Sequence, residues 1–238
     1  MPTFTVPLSE LRQGQVCLRG NDAHHIHHVL RLAVGEKIRL TDGAGKIVEG
    51  MIGRLGKEVA VKVTREIPAV RPYPLHLFVS LLKKDKMEWI VEKGVELNIE
   101  SVHFVKTRHS VKTDISGEKW GRIERVASSA QKQCGRAYPL ILHQPSSWES
   151  MTNSAVLQRF RNIFCCEKGT SQTLKEFWKR ENPPPPLALW IGPEGGWDEK
   201  EIEMAQKKEF HQVTLGPLTL RSETAAICAV SSLIALAF

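Results

Sequence analysis

One stretch near the end of the chain, residues 187–196, limits the possible folds more than any other. It reads LALWIGPEGG: five consecutive apolar residues, then a loop rich in glycine. Such a run fits a short strand buried on both faces, as in parallel sheets. Asp198 and Glu201 follow at the spacing of a capping box and predict a helix directly after the loop. Strand, glycine loop and helix follow each other in this order in α/β proteins, which bind ligands at the carboxyl ends of their strands.

The chemistry of this loop indicates what kind of ligand it could hold. It lacks both GxGxxG and GxxxxGKS/T, the two common phosphate-binding patterns. It carries Glu194 instead, whose carboxylate would repel a phosphate. We therefore expect a neutral or cationic ligand, read by backbone groups that glycine lets it approach closely. For this loop alone, a tight turn without a ligand is the alternative, because a glycine cluster is a weak motif.

A second unit of the same kind follows. Residues Gln212–Gly216 predict a strand, the loop PLTLRSETA comes next, and an almost wholly apolar helix is predicted over Ala225–Phe238. A helix that is apolar on all sides has to be buried, and this one is too short to be a convincing membrane span. Two such units in tandem, with converging loops, predict a pocket more strongly than either alone.

Charge and cysteine content limit the classes of protein to which the chain can belong. The 238 residues carry a net charge of +7, with a pI of about 9.2, which favours a polyanionic partner such as nucleic acid, although simple solubility charge is the alternative. The five cysteines are scattered without a CxxC pair, so we expect reduced thiols and no zinc site. No charged and apolar leader pattern begins the chain, and we expect a cytoplasmic protein without a membrane segment.

The first part of the chain, residues 1–70, predicts a small β-rich domain. A helix predicted over Asp22–Leu32 carries His24, His27 and His28 at helical spacing, but no carboxylate or cysteine completes a metal site there, and we expect no metal. The predicted strands are Gln15–Leu18, Lys37–Thr41, Ile47–Ile52 and Glu58–Val63.

Residues 73–238 predict a second, larger α/β domain after a proline-rich linker, Glu66–Pro74. Strands and helices alternate along it, which predicts a mostly parallel sheet with helices on both faces. Besides those already given, the predicted strands are Leu75–Leu82, Ser101–Lys106, Tyr138–Leu142 and Arg161–Cys166, and the predicted helices are Lys83–Asn98, Glu118–Cys134 and Ser171–Lys179.

Several motifs make the chain recognisable. HHVLRLAVGEKIRLTDGAG, KKDKMEWIVEKGVELNI, QCGR, LWIGPEGG and LGPLTLRSETA span nearly its whole length in order. In these motifs the sequence closely resembles the bacterial 16S ribosomal RNA (uracil-N3)-methyltransferases of the SPOUT superfamily. The resemblance implies an N-terminal PUA-like β-barrel that binds RNA, and a SPOUT domain that ends in a trefoil knot and binds S-adenosylmethionine. It further implies a homodimer that methylates N3 of a uridine in 16S rRNA of the small ribosomal subunit, without a metal.

The resemblance also assigns roles to residues. It places Arg221 and Glu223 beside the donor methyl group as catalytic residues. An arginine is usual in the family where this chain has His109. The cofactor-binding residues are Ile191, Gly192, Glu194, Gly195, Gly196, Leu215, Gly216, Leu218 and Leu220. The residues expected to contact RNA are Arg12, Arg31, Lys83, Lys86, Arg108, His109 and Arg136.

The reaction needs a proton removed from the uracil nitrogen and the resulting anion stabilised. We hypothesise that Arg221 stabilises negative charge on a uracil carbonyl oxygen, while Glu223 orients Arg221 or serves only as a favourable acid in the first turn of a helix. Three alternatives remain open: a SPOUT ribose 2′-O-methyltransferase, a non-catalytic ribosome-assembly protein that binds RNA, and a nicotinamide dehydrogenase. The missing GxGxxG motif speaks against the last.

Overall fold

The structure, a computed structural model, describes residues 1–110, 114–167 and 169–238. The chain forms two compact units. One comprises Met1–Arg71 together with Ser128–Pro139, and the other comprises Pro72–Ala127 together with Leu140–Phe238. Within the described residues, no helix has the length and apolar character needed to cross a membrane.

The first unit is built on a five-stranded sheet in the order β1-β3-β4-β5-β2. Alternate residues such as Ile38, Leu40, Val59 and Val61 point into its core and are fully buried. Its strands are β1 (Thr3–Thr5), β2 (Gln15–Leu18), β3 (Lys37–Thr41), β4 (Ile47–Arg54) and β5 (Val59–Glu66), and its short helices are α1 (Leu8–Arg12) and α2 (Gly20–His24).

The helix predicted over Asp22–Leu32 is wrong in its bounds and in its type. After α2 the chain continues as a π-helix, His25–Leu30, and ends at Arg31, whose φ of 52° is left-handed. A π-turn widens the helix and shifts the periodicity that the prediction assumed. The short elements β1 and α1 were not predicted because three to five residues hold too little periodic signal.

The second unit contains a six-stranded, wholly parallel sheet in the order β11-β9-β10-β6-β7-β8. This confirms the predicted parallel α/β architecture. The strands are β6 (Tyr73–Ser80), β7 (Ile99–Lys106), β8 (Ile141–Ser147), β9 (Arg161–Cys165), β10 (Leu187–Ile191) and β11 (His211–Val213). The helices are α3 (Lys86–Glu96), α4 (Gly117–Cys134), α5 (Trp148–Thr152), α6 (Leu174–Glu181), α7 (Glu199–Lys207) and α8 (Ser222–Ala237), with a 3-10 helix over Ala155–Arg159. The last residues of α4, from Ser128 onward, belong to the first unit.

Strand β10 lies inside the sheet between β9 and β6, and all five of its residues are buried. Its neighbours cover both edges and helices cover both faces, so only apolar side chains fit, as the sequence predicts. The capping box before α7 is also confirmed. The Asp198 carboxylate accepts from the backbone at Lys200, and Glu201 accepts from the Asp198 backbone N–H.

Several predicted boundaries need correction. The strand predicted at Tyr138–Leu142 begins only at Ile141, after Pro139, and extends to Ser147. The strand predicted at Gln212–Gly216 ends at Val213, because the Thr214 hydroxyl bonds to Gly216 and turns the chain. Helix α3 starts at Lys86 instead of Lys83, since Lys84 is left-handed, and α8 starts at Ser222, ahead of the predicted Ala225.

Candidate functional site

The carboxyl ends of β9, β10 and β11 meet at one edge of the parallel sheet, and a cavity of about 540 Å³ opens there. We call it the carboxyl-end cavity. Its wall is formed by the residues that follow these three strands, in the ranges 165–167, 191–197 and 214–222, together with Lys86, Ile202 and Ala225. This is the place where parallel α/β sheets bind ligands, because loops from adjacent strands converge.

The loop after β10 is held in shape by an indole ring. Trp197 donates from Nε1 to the carbonyl of Cys165 at 2.8 Å, which ties this loop to the end of β9. The ring lies directly over Gly192, where an added Cβ would be 2.9 Å from the indole nitrogen. Glycine is therefore required at position 192, because any side chain would displace the tryptophan.

A second support comes from the loop after β7. His109 packs on Gly195, where an added Cβ would lie 3.1 Å from the His109 Cβ, and its Nδ1 is 3.0 Å from the carbonyl oxygen of Gly196. Glu201 is 2% exposed and accepts from the backbone N–H of Arg108 at 2.9 Å. His109 thus braces the glycine loop.

The loop after β11 is far less supported. Gly216 has a φ of 145°, and an added Cβ would meet no atom within 4 Å. Leu218 is 78% exposed, and the backbone N–H groups of Leu218 and Leu220 bond to none of the described residues. These groups line the cavity and leave donors and acceptors available to a ligand.

Lys86, at the start of α3, joins the loop after β10 to the start of α8. Its ammonium group bonds to the Glu194 carboxylate of the first loop and lies 3.1 Å from the Glu223 carboxylate in α8. The contact between Lys86 and Glu223 is an ion pair that lacks the angle of a hydrogen bond. The Oε2 atom of Glu223 can therefore still accept a hydrogen bond. The carboxylates, Glu194 first, raise the pKa of Lys86.

These ion pairs bear on two expectations. Lys86 offsets part of the negative charge with which Glu194 was expected to repel a phosphate. Glu223 does not orient Arg221, because among the described residues its charged partner is Lys86. Lys86 itself, expected to contact RNA, is turned toward the two carboxylates. Arg221 is exposed at the cavity wall, and its side chain bonds to no residue that the structure describes.

The structure brings the predicted cofactor residues together, since every one of them lines the carboxyl-end cavity. They are Ile191, Gly192, Glu194, Gly195, Gly196, Leu215, Gly216, Leu218 and Leu220. Sequence reasoning missed the wall formed by Cys165, Cys166, Glu167 and Trp197. The strand ending at Cys165 was predicted, but only the strand order reveals that it lies next to β10.

The residues predicted to contact RNA differ in their placement. Arg12, Arg31, Lys83 and Arg108 are exposed, as such a contact needs. Arg136 is 7% exposed, and its guanidinium donates to the carbonyl oxygens of Tyr138 and Pro139. Burial lowers the pKa of Arg136 to about 10. Its expected RNA contact is therefore corrected to a role within its own loop, because a buried, bonded guanidinium does not reach a phosphate.

Among the described residues no cluster of three or more histidine, cysteine or acidic side chains could hold a metal ion. In the first unit, His27 is bonded to the carbonyl oxygen of Gly56 at 2.8 Å, while the rings of His24 and His28 contact each other at a tilt of 39°, with their centroids 4.5 Å apart.

A parallel α/β domain with a ligand cavity at its carboxyl edge, preceded by a small β domain, is the architecture that fold and site define. The chain belongs to the RNA methyltransferase family, whose domain matches residues 70–234; an RNA methyltransferase PUA domain matches residues 18–63. The predicted methyltransferase class is thereby confirmed, as is the predicted order of a PUA domain followed by a parallel α/β methyltransferase domain. The trefoil knot stays a prediction.

Individual relatives extend this similarity over the full length. The "Ribosomal RNA small subunit methyltransferase E" of Synechocystis sp. is 26% identical over 98% of this chain and 77% of that protein. The protein of the same name from Bacillus subtilis is 27% identical over 91% and 88%. The Neisseria gonorrhoeae enzyme of that name, solved bound to S-adenosyl methionine, is 26% identical and has a TM-score of 0.81. The match covers 99% of this chain and 98% of that one.

Proposed function

We propose that this chain transfers a methyl group from S-adenosylmethionine to N3 of a uridine in 16S rRNA of the small ribosomal subunit. The observation that carries the proposal is the single cavity wall formed by both glycine loops and Arg221. Relatives similar over most of their length carry the name of a small-subunit rRNA methyltransferase, and one was solved with S-adenosyl methionine.

The residues of the carboxyl-end cavity fit this cofactor. Unpaired backbone groups at Leu218 and Leu220 suit the hydrogen-bonding edge of an adenine ring. The cluster of Lys86, Glu194 and Glu223 carries one more negative than positive charge, which favours a cationic ligand over a phosphate. When bound, S-adenosylmethionine supplies a methyl group activated by a positively charged sulfur.

Arg221 is the residue that we assign to the chemistry. Uracil N3 carries a proton at neutral pH, and negative charge develops on the adjacent carbonyl oxygens as that proton leaves. A guanidinium at the cavity wall, without another partner among the described residues, can stabilise this charge. Glu223 instead holds Lys86 in place. Its role is then to position the start of α8 against the loop after β10, through Lys86.

Exposed basic residues would bind the RNA. Arg12 and Arg31 lie in the first unit, whose sequence matches the PUA domain, and Lys83 and Arg108 lie in the second. Replacing any one of these side chains with alanine should weaken binding uniformly across RNA sequences and reduce the salt dependence by about one unit of slope. We further propose that the protein acts as a homodimer, which sedimentation velocity at micromolar concentration tests: a monomer throughout contradicts it.

The decisive experiment compares intact small-subunit particles and naked 16S rRNA as methyl acceptors, followed by nucleoside analysis of the digested RNA. We expect N3-methyluridine. A ribose 2′-O-methylated nucleoside would identify the other SPOUT activity, and no incorporation together with no cofactor binding in calorimetry would identify an RNA-binding protein without catalysis.

The role of Arg221 is tested with saturating cofactor. Arg221→Ala should lower kcat by about 100-fold, the usual cost of removing a group that stabilises an oxyanion. Arg221→Lys serves as the matched control, because it keeps the charge but loses the planar fork, and should retain part of the activity. Unchanged turnover in the alanine variant would remove Arg221 from the mechanism.

A further inference from the structure

The second unit contains a column of four flat rings that runs across its sheet. Trp190, Phe78, His103 and His143 occupy matched positions on β10, β6, β7 and β8. Successive ring centroids are 4.1, 4.2 and 3.9 Å apart, and the planes differ by 18°, 8° and 6°. Matched registry on parallel strands places one ring above the next, so the column is a continuous stack.

The column ends at the border of the sheet. Strand β8 is the last in the order, so no further strand covers His143, and His143 is exposed. No other aromatic ring of the described residues stacks on the outer face of its imidazole. A stack whose last flat face is open offers a planar ligand the same contact that each inner ring receives from its neighbour.

A cavity of about 580 Å³ opens at this end of the column, and we call it the histidine cavity. Three histidines, His76, His103 and His143, line it together with Phe160. Gln144 and the hydroxyls of Ser146 and Ser150 also line it. The described lining includes no lysine, arginine, aspartate or glutamate, so the wall offers no charged partner to a phosphate or a carboxylate.

The three histidines are held neutral. The Ser101 hydroxyl lies 2.7 Å from Nδ1 of His76 and 2.9 Å from Nε2 of His103, so it can donate to one ring nitrogen and accept from the other. Burial lowers the pKa of His103 to about 3, and burial likewise lowers the pKa of His76 and of His143. Glu100 alone opposes this at His76, from 3.8 Å. A neutral stack flanked by hydroxyl and amide groups suits a neutral, flat ligand with polar edges.

We propose that the histidine cavity binds a neutral nucleobase, stacked on the outer face of His143 and hydrogen-bonded by Gln144 and the surrounding serine hydroxyls. Side chains with flat rings, histidine among them, are the usual partners of unstacked bases in RNA recognition. The base can belong to a free nucleoside or to an unpaired nucleotide of an RNA chain. This site is separate from the carboxyl-end cavity, with which it shares no lining residue.

The first experiment uses free nucleosides. Protein with labelled histidines is saturated with S-adenosylhomocysteine, which blocks the carboxyl-end cavity, and uridine, cytidine, adenosine and guanosine are titrated in turn. If the carboxyl-end cavity does not bind S-adenosylhomocysteine, the titrations with uridine and cytidine still report on the histidine cavity. We expect the nuclear magnetic resonance signals of the His143 ring to shift in a saturable way. The 5′-monophosphates should bind no more tightly than the nucleosides, since no cation lines the described wall of the cavity.

The second experiment uses labelled single-stranded RNA oligonucleotides and fluorescence anisotropy. His143→Ala should weaken binding about 5- to 150-fold, the range expected from losing one base stack. His143→Phe keeps a flat ring and should bind within a few-fold of the wild type. Neither measurement involves methyl transfer, so failure of the proposed enzymatic function would leave both results interpretable.

The outcomes separate the sources of the base. Shifts of the His143 signals with nucleosides indicate a site for free bases. A loss of affinity in His143→Ala that is confined to RNA oligonucleotides indicates a base presented by an RNA strand. If no nucleoside shifts His143, and the alanine and phenylalanine variants bind RNA as the wild type does, the column is packing alone and the proposal is wrong. Urea unfolding of the variants checks that each is folded.

Discussion

The two cavities of the second unit are formed by different kinds of structural element. Loops and ion pairs form the carboxyl-end cavity, where Lys86 links two segments that are far apart in sequence. Strand residues form most of the polar wall of the histidine cavity, in registers that the sheet itself fixes. The first presents loop backbone and charged side chains to a ligand, whereas the second presents a neutral surface of strand residues. Charge is thus concentrated at one edge of the sheet.

The strongest test of this contrast is Gly192→Ala. An added Cβ would lie within 3.0 Å of two indole atoms of Trp197, and the ring would have to leave its bond to the Cys165 carbonyl. We expect the free energy of unfolding to fall by about 3 kcal/mol, a typical cost of overpacking. Urea unfolding would measure this loss of stability, and calorimetric titration would measure the affinity for S-adenosylmethionine.

Gly216→Ala is the matched control for that change. No atom is within 4 Å of its added Cβ, so only the left-handed backbone opposes it, at a cost of about 1 kcal/mol. Equal losses in the two variants would contradict the view that only the first loop is braced by packing.

Acid should destabilise the histidine cavity. The pKa of His103 is about 3 in the folded protein and 6.5 in its unperturbed form, so the unfolded chain takes up more protons as the pH falls. Stability from this residue is complete above about pH 7 and declines from pH 6.5 toward pH 3, with about 2 kcal/mol lost at pH 5. Urea unfolding between pH 5 and 8 measures the slope.

His103→Phe keeps a flat ring in the column and removes the titrating group. The slope of stability against pH should become shallower in this variant. If wild type and variant show the same slope, the acid sensitivity arises elsewhere and His103 is not the buried, neutral group that its contacts indicate.

Lys86→Met should have a smaller effect. The ammonium group and its two carboxylates are only partly shielded from water, so we expect the free energy of unfolding to fall by about 1 kcal/mol. Glu223→Gln in the Lys86→Met background should cost little more, since the ion pair is already lost. Additive losses in this double-mutant cycle would show that Lys86 and Glu223 are not coupled.

Leu218→Ala should have the smallest effect on folding. The side chain is 78% exposed, and we expect a change within about 0.5 kcal/mol in the free energy of unfolding. A weaker affinity for S-adenosylmethionine, measured by calorimetry, would then report a direct contact with the ligand. A large loss of stability would instead mean that the second loop is packed as firmly as the first.

Sequence reasoning reached the two glycine loops because the residues beside them in the chain carry strong local patterns. The apolar run at Leu187–Ile191 and the capping pair Asp198 and Glu201 are such patterns, and the structure confirms both. The bridge from Lys86 to Glu194 spans more than one hundred residues, and no local pattern predicts it. The stack of His103 on His143 likewise depends on strand order and register, which become visible only when the sheet is assembled.

The place of β10 in the sheet has a consequence for biosynthesis. A ribosome makes β6 and β9 before β10, yet β10 lies between them in the finished sheet. The nascent chain therefore has to keep a gap between strands already made, or open one, until residues 187–191 emerge. Pairings this distant in sequence form slowly and leave strand edges open meanwhile. Translation speed through this region should therefore influence the yield of soluble protein.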